Sequence, residues 1–302
     1  MISIALASYN GEKYISEQID SILAQTIQDF ELVVCDDCSK DATFAILQEY
    51  EKKDSRIHVY NNEVNLGVIK NFEKAVSLCS GEYIALCDQD DIWLPEHLQF
   101  LLSNIGNSSI SCGNAELISE NGNSMGITLD RVQHFFYTTG NYLYMLLLRG
   151  CKFQGASMLM PTKFAKKAIP IPDGIYHDMW FALCACMENG IAYSTQVITK
   201  YRQHKNNVTE QSHVHFVLKL IRQFLFGGIP TVAFSCLNAL QLRYEQNDKD
   251  FNLIVLTLNH IKNKALTFSD IKFLWKHYYD IGGKKTHLDF IPSLLVWNAW
   301  KE

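Results

Sequence analysis

A chain of 302 residues, 48% hydrophobic and 12% aromatic, has the apolar content for one large core with a smaller helical region, and it is not a disordered protein. Its net charge of −5 argues against a nucleic-acid binder, because polyanion binding runs on Lys and Arg contacts to phosphate. Nine cysteines, an odd count set mostly in apolar runs, and an opening MISIALASYNGEKY without signal-peptide pattern fit reduced thiols in the cytoplasm.

The first part alternates two periodicities. ISIALASYN reads as a strand, and residues 12–25 carry Ile15, Ile19, Ile22 and Leu23 on one helical stripe. ELVVCDD is a second strand, and SKDATFAILQEYEKK opens with helix-capping residues before Phe44, Leu47 and Tyr50. RIHVYNN is a third strand, residues 68–79 the next helix, and Gly81 turns the chain into the strand YIALCDQDD. SISCGNAELIS and CKFQGASMLMP read as later strands, the second with a glycine at a close approach. Residues 132–148 are uncharged and rich in Phe, Tyr and Leu. Residues 223–242 are uncharged too, but GGIP interrupts them, so two helices meeting at a turn are expected rather than a membrane span. From His213 onward the chain reads as helical, with basic and aromatic residues interleaved in FVLKLIRQFLF and IKFLWKHYYDIGGKK.

Strands alternating with helices predict an α/β fold with a mostly parallel sheet covered on both faces, catalytic over 1–212, followed by a helical region over 213–302. Ligands of such sheets bind beyond the strands' carboxyl ends. Ser8-Tyr9-Asn10, Asp36-Asp37, Asn61-Asn62 and Asp88 to Asp91 fall at four such ends and point to one shared pocket. Asp88, Asp90 and Asp91 suit a hard divalent cation, Mn²⁺ or Mg²⁺, which takes carboxylate and phosphate oxygens; the plainer alternative is an acidic loop capping the helix near Pro95. Asp36 and Asp37 suit hydrogen bonds to a base or ribose, or capping of the helix after Asp41. Cys35 and Cys38 form a CxxC pair with no second pair at zinc-finger spacing, which favours a structural reading.

ASYNGEKYI, DDCSKDAT, NLGVIKNFEKA, GEYIALCDQDDIW, YHDMW and YRQHKNNV, in this order, resemble glycosyltransferase family 2, the inverting nucleotide-sugar transferases of GT-A fold, and most closely its bacterial rhamnosyltransferase-like branch. The resemblance covers roughly residues 1–208. It implies that Ala7, Tyr9, Asn10, Asp36 and Asp37 hold the nucleoside, with Asn65, Gly67 and Asn71 against base and ribose. It places Asp88, Gln89 and Asp90 by the nucleotide sugar, with Asp90 or Asp91 on the metal, and makes Asp178 the catalytic base. Many members carry Glu-Asp where this chain has His177-Asp178, and Asp178 also reads as a helix N-cap. His204 is a candidate third metal ligand, Arg202 a candidate to offset diphosphate charge, and Gly155 matches a small residue on the acceptor side.

The donor expected by resemblance is a dTDP- or UDP-linked sugar, rhamnose first, and the acceptor a polyprenyl-linked glycan of the bacterial surface. The C-terminal helices are then expected at the inner face of the plasma membrane, as a packed subdomain, or at an oligomer contact. A sugar-phosphate nucleotidyltransferase would need a Gly-rich, Arg-containing loop that ASYNGEKYI lacks. A non-catalytic nucleotide-sugar sensor or assembly partner is the reading from another class.

Overall fold

The computed structural model describes residues 1–133, 139–140, 142–143, 146–147, 151, 153–205, 231–244, 249–262, 267 and 269–270. The chain divides into two compact units, Met1–Asn141 with Cys151–Asn207, and Tyr142–Gly150 with Val208–Glu302.

The first unit opens with four βα repeats. β1 (Ile2–Ser8), β2 (Phe30–Asp36), β3 (Ile57–Asn61) and β4 (Tyr83–Asp88) are linked by α1 (Ile15–Leu23), α2 (Thr43–Lys53) and α3 (Val68–Leu78). They pair in parallel in the order β3-β2-β1-β4. β1, β2 and β4 are almost wholly buried because helices cover both faces, which is why they read as apolar runs. Ile4, Leu6, Leu32 and Val34 join Ile15, Ile19 and Ile22 of α1 in one cluster. α3 packs on β1 and β2 through residues outside that cluster, burying Phe72, Ala75 and Val76. Full burial of a Val, Leu, Ile or Phe side chain contributes about 1.5–3 kcal/mol.

Register does the rest. Ser8 lies opposite Asp36, Ala7 opposite Asp88 and Asp36 opposite Asn61, so four polar strand ends finish level at one edge of the sheet.

The second half of the sheet adds short antiparallel pairings to the mostly parallel arrangement expected. After β5 (Ile92–Trp93) and α4 (His97–Asn104), β6 (Ile110–Ile118) and β7 (Ser124–Thr128) form an antiparallel pair, and the short α5 (Leu129–Val132) follows. CKFQGASMLMP is not one strand: Gly155–Ser157 form a 3₁₀ turn, and only Met158–Pro161 is β8. β8 starts near the carboxyl end of β4 and runs back along it, so its pairing is antiparallel and the Gly155 turn sits beside Asp88. α6 (Thr162–Ala168) and α7 (His177–Cys186) lead to β9 (Ile191–Arg202), which runs parallel to β6 and antiparallel to β5. That last pairing brings Arg202 to His204 against the loop after β4.

In the second unit, α8 (Thr231–Arg243) buries Cys236, Leu237 and Leu240, and α9 (Lys249–Lys262) buries Phe251 and Thr257. Asp270 is buried and accepts hydrogen bonds from Thr257 Oγ1 (3.1 Å) and the Thr267 amide (2.6 Å), with His260 Nδ1 at 2.8 Å. No helix among the described residues is long and apolar enough to cross a membrane. FVLKLIRQFLF, GGIP and IKFLWKHYYDIGGKK lie essentially outside the described residues, as does most of 132–148.

Candidate active site

The loops after β1 and β2 are locked together. Asp36 accepts from Ser8 Oγ (2.9 Å), Ser39 N (2.9 Å) and Ser39 Oγ (2.6 Å), while Asn10, at φ 49°, donates its backbone N–H to Ser39 Oγ and accepts from Lys40 N. Asp37 takes Asn62 Nδ2 (2.8 Å), Leu66 N (2.7 Å) and Gly67 N (2.8 Å), so it shapes the loop of Asn65 and Gly67. Gly67 sits at φ 81°, where a side chain would be strained. Asn71 is buried, donating to Cys35 O (2.8 Å) and accepting from Asn62 Nδ2 (2.9 Å); its amide is spent on holding α3 to the strand ends. Tyr9 is the outward member, 44% exposed. Gln89 pairs with its backbone twice, Tyr9 N to Oε1 at 2.9 Å and Nε2 to Tyr9 O at 3.0 Å. A Cβ on Gly11 would lie 2.2 Å from Gln89 Oε1, so this clasp needs glycine there.

The three carboxylates after β4 have three environments. Asp90 Oδ2 lies 2.8 Å from His204 Nε2, and the imidazole stacks on Tyr14 at 5.1 Å. Asp91 is 1% exposed and turned inward; Oδ1 accepts the Arg202 amide (3.0 Å) and Oδ2 accepts Gln154 Nε2 (2.7 Å). Its expected place on the metal is therefore revised to that of an internal anchor. Loss of water pushes its pKa well up, with Asp90 and Asp88 adding to the shift. Asp88 is raised to about 7 by the same desolvation, then by Asp90 and Asp178.

Arg202 is revised as well. At 2% exposure its Nε donates to Asp90 O (2.8 Å), Nη1 to Glu120 O (3.0 Å) and Nη2 to the Glu17 carboxylate, with the guanidinium 4.9 Å from the Tyr14 ring centre. It braces the acidic loop from behind instead of facing a diphosphate. Tyr14, Glu17 and Glu120 escaped the sequence reading, since the Glu17–Arg202 contact spans 185 positions.

Asp178 is the second residue of α7; the N-cap is Tyr176, so the alternative reading of Asp178 as the cap does not apply. It is half-buried, and desolvation raises its pKa to about 6 against two backbone hydrogen bonds that lower it. A Cβ on Gly155 would lie 2.8 Å from His177 Nε2 and 3.6 Å from Asp178 Cβ, so the Gly155 turn lies directly against the start of α7. His177 stacks on Phe72 at 3.8 Å, and burial lowers its pKa to about 3. Cys35 is buried with its thiol pushed up to about 12, which leaves it inert beside Cys38.

The Asp90–His204 pair suits a cation. At 2.8 Å the two groups are within ordinary hydrogen-bond distance, and a carboxylate oxygen and an imidazole nitrogen are donor types that would hold such an ion. Among the described residues no third His, Cys, Asp or Glu completes a set, so water and phosphate oxygens would fill the other positions.

A family model described as Glycosyl transferase family 2 matches residues 3–165. WfgD of Escherichia coli, a UDP-Glc:alpha-D-GlcNAc-diphosphoundecaprenol beta-1,3-glucosyltransferase, is 41% identical over 124 residues, 40% of this chain and 48% of that protein. The uncharacterized glycosyltransferase MJ1057 of Methanocaldococcus jannaschii is 30% identical over 211 residues, 67% of this chain and 70% of that one. The chain spans less than half of WfgD (48%) and of TuaG of Bacillus subtilis (42%). In fold it is similar to S. aureus TarS 1–349 crystallised with UDP-GlcNAc, with a TM-score of 0.56, 18% identity, and 94% and 93% of the two chains covered.

Proposed function

Because the chain belongs to glycosyl transferase family 2, we propose that it moves a sugar, with inversion, from a nucleoside-diphosphate donor to a hydroxyl of a growing, lipid-linked surface glycan. The observation that carries this reading is the meeting, at one sheet edge, of Asp88, the Asp90–His204 pair and the half-buried Asp178 with its pKa raised to about 6. A UDP-linked donor is the first choice, supported by the names of WfgD and of the TarS complex. A dTDP-linked rhamnose rests on motif order alone and is an arm of the test below. The lipid-linked acceptor draws on WfgD. The C-terminal helices are assigned to acceptor or membrane-surface contact.

Asp178 is the base. A carboxylate with a pKa near 6 is ionised at neutral pH yet basic enough to draw the proton from an attacking hydroxyl in the transition state. No enzyme nucleophile is needed: the oxygen attacks the anomeric carbon as the nucleoside diphosphate leaves from the opposite face, and the configuration inverts. The loops closed by Asp36, Asp37 and the Gln89–Tyr9 clasp hold the nucleoside end and orient the sugar toward Asp178. Asp90 and His204 would hold a divalent cation, which when bound would offset the negative charge on the departing diphosphate.

The test is a thermal-shift series with UDP, dTDP and GDP and their sugars, each with and without Mn²⁺, on the wild type and on Asp90→Asn. A ligand that binds only the folded state raises the melting temperature by mass action, about 2.7 kcal/mol at a hundredfold excess over Kd. The expected result is a Mn²⁺-dependent rise with one nucleotide, lost in Asp90→Asn, together with slow release of that nucleotide from its sugar. No rise with any of them would sink the transferase reading; a rise without turnover would favour the sensor.

A further inference from the structure

Gln154 stands outside every motif that pointed to the site, yet it joins the site's two sides. It is 9% exposed, and its Nε2 donates to Asp91 Oδ2 at 2.7 Å. Its Oε1 accepts from Ser157 Oγ at 3.2 Å. Ser157 Oγ lies 3.0 Å from Thr199 Oγ1, which is 3.2 Å from His97 Nδ1, so the buried network runs from the acidic loop into the sheet. Through Asp91 the same amide is tied to Arg202, whose Nε holds the carbonyl of Asp90. On the other side Gln154 is the N-cap of the Gly155–Ser157 turn, which lies against His177 and Asp178 too closely for even a methyl group on Gly155. One side chain therefore spans from the loop bearing Asp90 to the turn that backs Asp178.

We propose that Gln154 is a positioning residue of the transfer reaction, holding the Gly155 turn and the start of α7 at a fixed distance from the loop that carries Asp90. The inference rests on the glycosyltransferase reading above. An amide suits the task because it is two-ended: one edge donates to a carboxylate and the other accepts from a hydroxyl. Leucine, one bond shorter and apolar, takes away the partner of Asp91 Oδ2 and one partner of Ser157 Oγ, leaving Asp91 the Arg202 amide and Ser157 the Thr199 hydroxyl, and the turn is free to drift. A base displaced by about 1 Å from the line of attack loses about a hundredfold in rate without a change in donor binding.

The experiment compares the wild type, Gln154→Leu, and the exchange Asp91→Asn with Gln154→Glu. In the exchange the amide at position 91 donates to the carboxylate at position 154, which still accepts from Ser157, and the position-91 carbonyl still accepts the Arg202 amide. Four quantities are read in the presence of Mn²⁺: the Kd for UDP, the melting temperature, and kcat and KM for release of UDP from the UDP-sugar that the wild type turns over best. The expected result is a kcat lowered about a hundredfold in Gln154→Leu, with the Kd for UDP within about twofold of wild type, and most of the kcat regained in the exchange. An unchanged kcat in Gln154→Leu overturns the proposal. So does a fall in kcat, UDP affinity and melting temperature together that the exchange does not restore, since that is the pattern of general destabilisation. If the wild type releases UDP from no UDP-sugar, the UDP-dependent reading fails and this inference falls with it; turnover by the wild type with an indifferent Gln154 sinks the inference alone.

Discussion

Asp178→Asn is expected to make the protein more stable and less active at once. The carboxyl has its pKa raised from 3.8 to about 6 because its surroundings withdraw water from the anion. Below pH 3.8 the group is protonated both folded and unfolded and costs nothing. As pH rises the unfolded chain ionises first, and above 6 the fold must hold an anion it solvates poorly, so the penalty is fully present at pH 7.5. At 1.36 kcal/mol per pH unit that interval gives an upper bound of about 3 kcal/mol. Water still touches the half-buried group, so about 1.5 kcal/mol is the working figure. Asparagine keeps the oxygen that accepts from Met179 N (2.6 Å) and removes the charge. The melting temperature should rise by about 3–6 °C at pH 7.5, and the gain should shrink to about a third by pH 4, where the unfolded carboxyl is still about half ionised. Scanning fluorimetry on both proteins at both pH values reads this directly. Loss of a general base should lower kcat by about 10²–10⁴-fold, and wild-type kcat should fall to half near pH 6 as Asp178 takes up its proton. A variant no more stable than wild type at pH 7.5, or a gain undiminished at pH 4, would refute the argument that burial of this charge sets the pKa.

Two further substitutions probe the frame around the site. Gly11→Ala places a methyl 2.2 Å from Gln89 Oε1, and the cheapest relief is for that flexible amide to swing off Tyr9. UDP affinity measured by calorimetry should then fall about tenfold, and stability by the one or two net hydrogen bonds lost, about 1 kcal/mol each; unchanged affinity would show that the clasp does not serve the nucleotide. Arg202→Lys keeps the charge but cannot reach Asp90 O, Glu120 O and Glu17 together. A loss of about 3 kcal/mol in urea unfolding is expected for a buried cation stripped of partners, and a loss below about 1 kcal/mol would contradict the bracing role.

What the sequence made legible, and what it hid, divides at Asp91. The first four strands are regular βα repeats, and parallel register sends each polar end to the same edge, so Ser8, Asp36, Asn61 and Asp88 could be grouped from pattern alone. Beyond Asp91 the signals are short or broken. β5 has two residues, β8 has four, and β9 shifts register against β6, so no clean alternation marks them. The contacts that assign roles cross this boundary: Gln154 meets Asp91 over 63 positions and Arg202 meets Glu17 over 185. Carboxylate type and spacing singled out Asp88 to Asp91 as a group; the donors aimed at each oxygen tell its members apart. Asp178 reads both as base and as cap in sequence, and the cap reading ends because Tyr176 occupies that position.

Three like charges within four residues are tolerable here because the fold treats each differently. If the loop served to cap the helix that follows, its side chains would bond the first amides of α4. Instead the cap position is Glu96, with no side-chain hydrogen bond to the helix, and the oxygens of Asp90 and Asp91 go elsewhere. Asp91 is turned inward onto the Arg202 amide and Gln154, which removes it from the face that Asp90 shares with His204. Asp88, raised to about 7, is close to half protonated at neutral pH, so even the exposed side of the cluster does not hold its full negative charge. That is an unfavourable state for three acids, and the cation proposed for Asp90 and His204 would relieve it. A cost of that kind is a reason for a core strand to end in this way at a binding edge and no reason for it to do so at a helix cap.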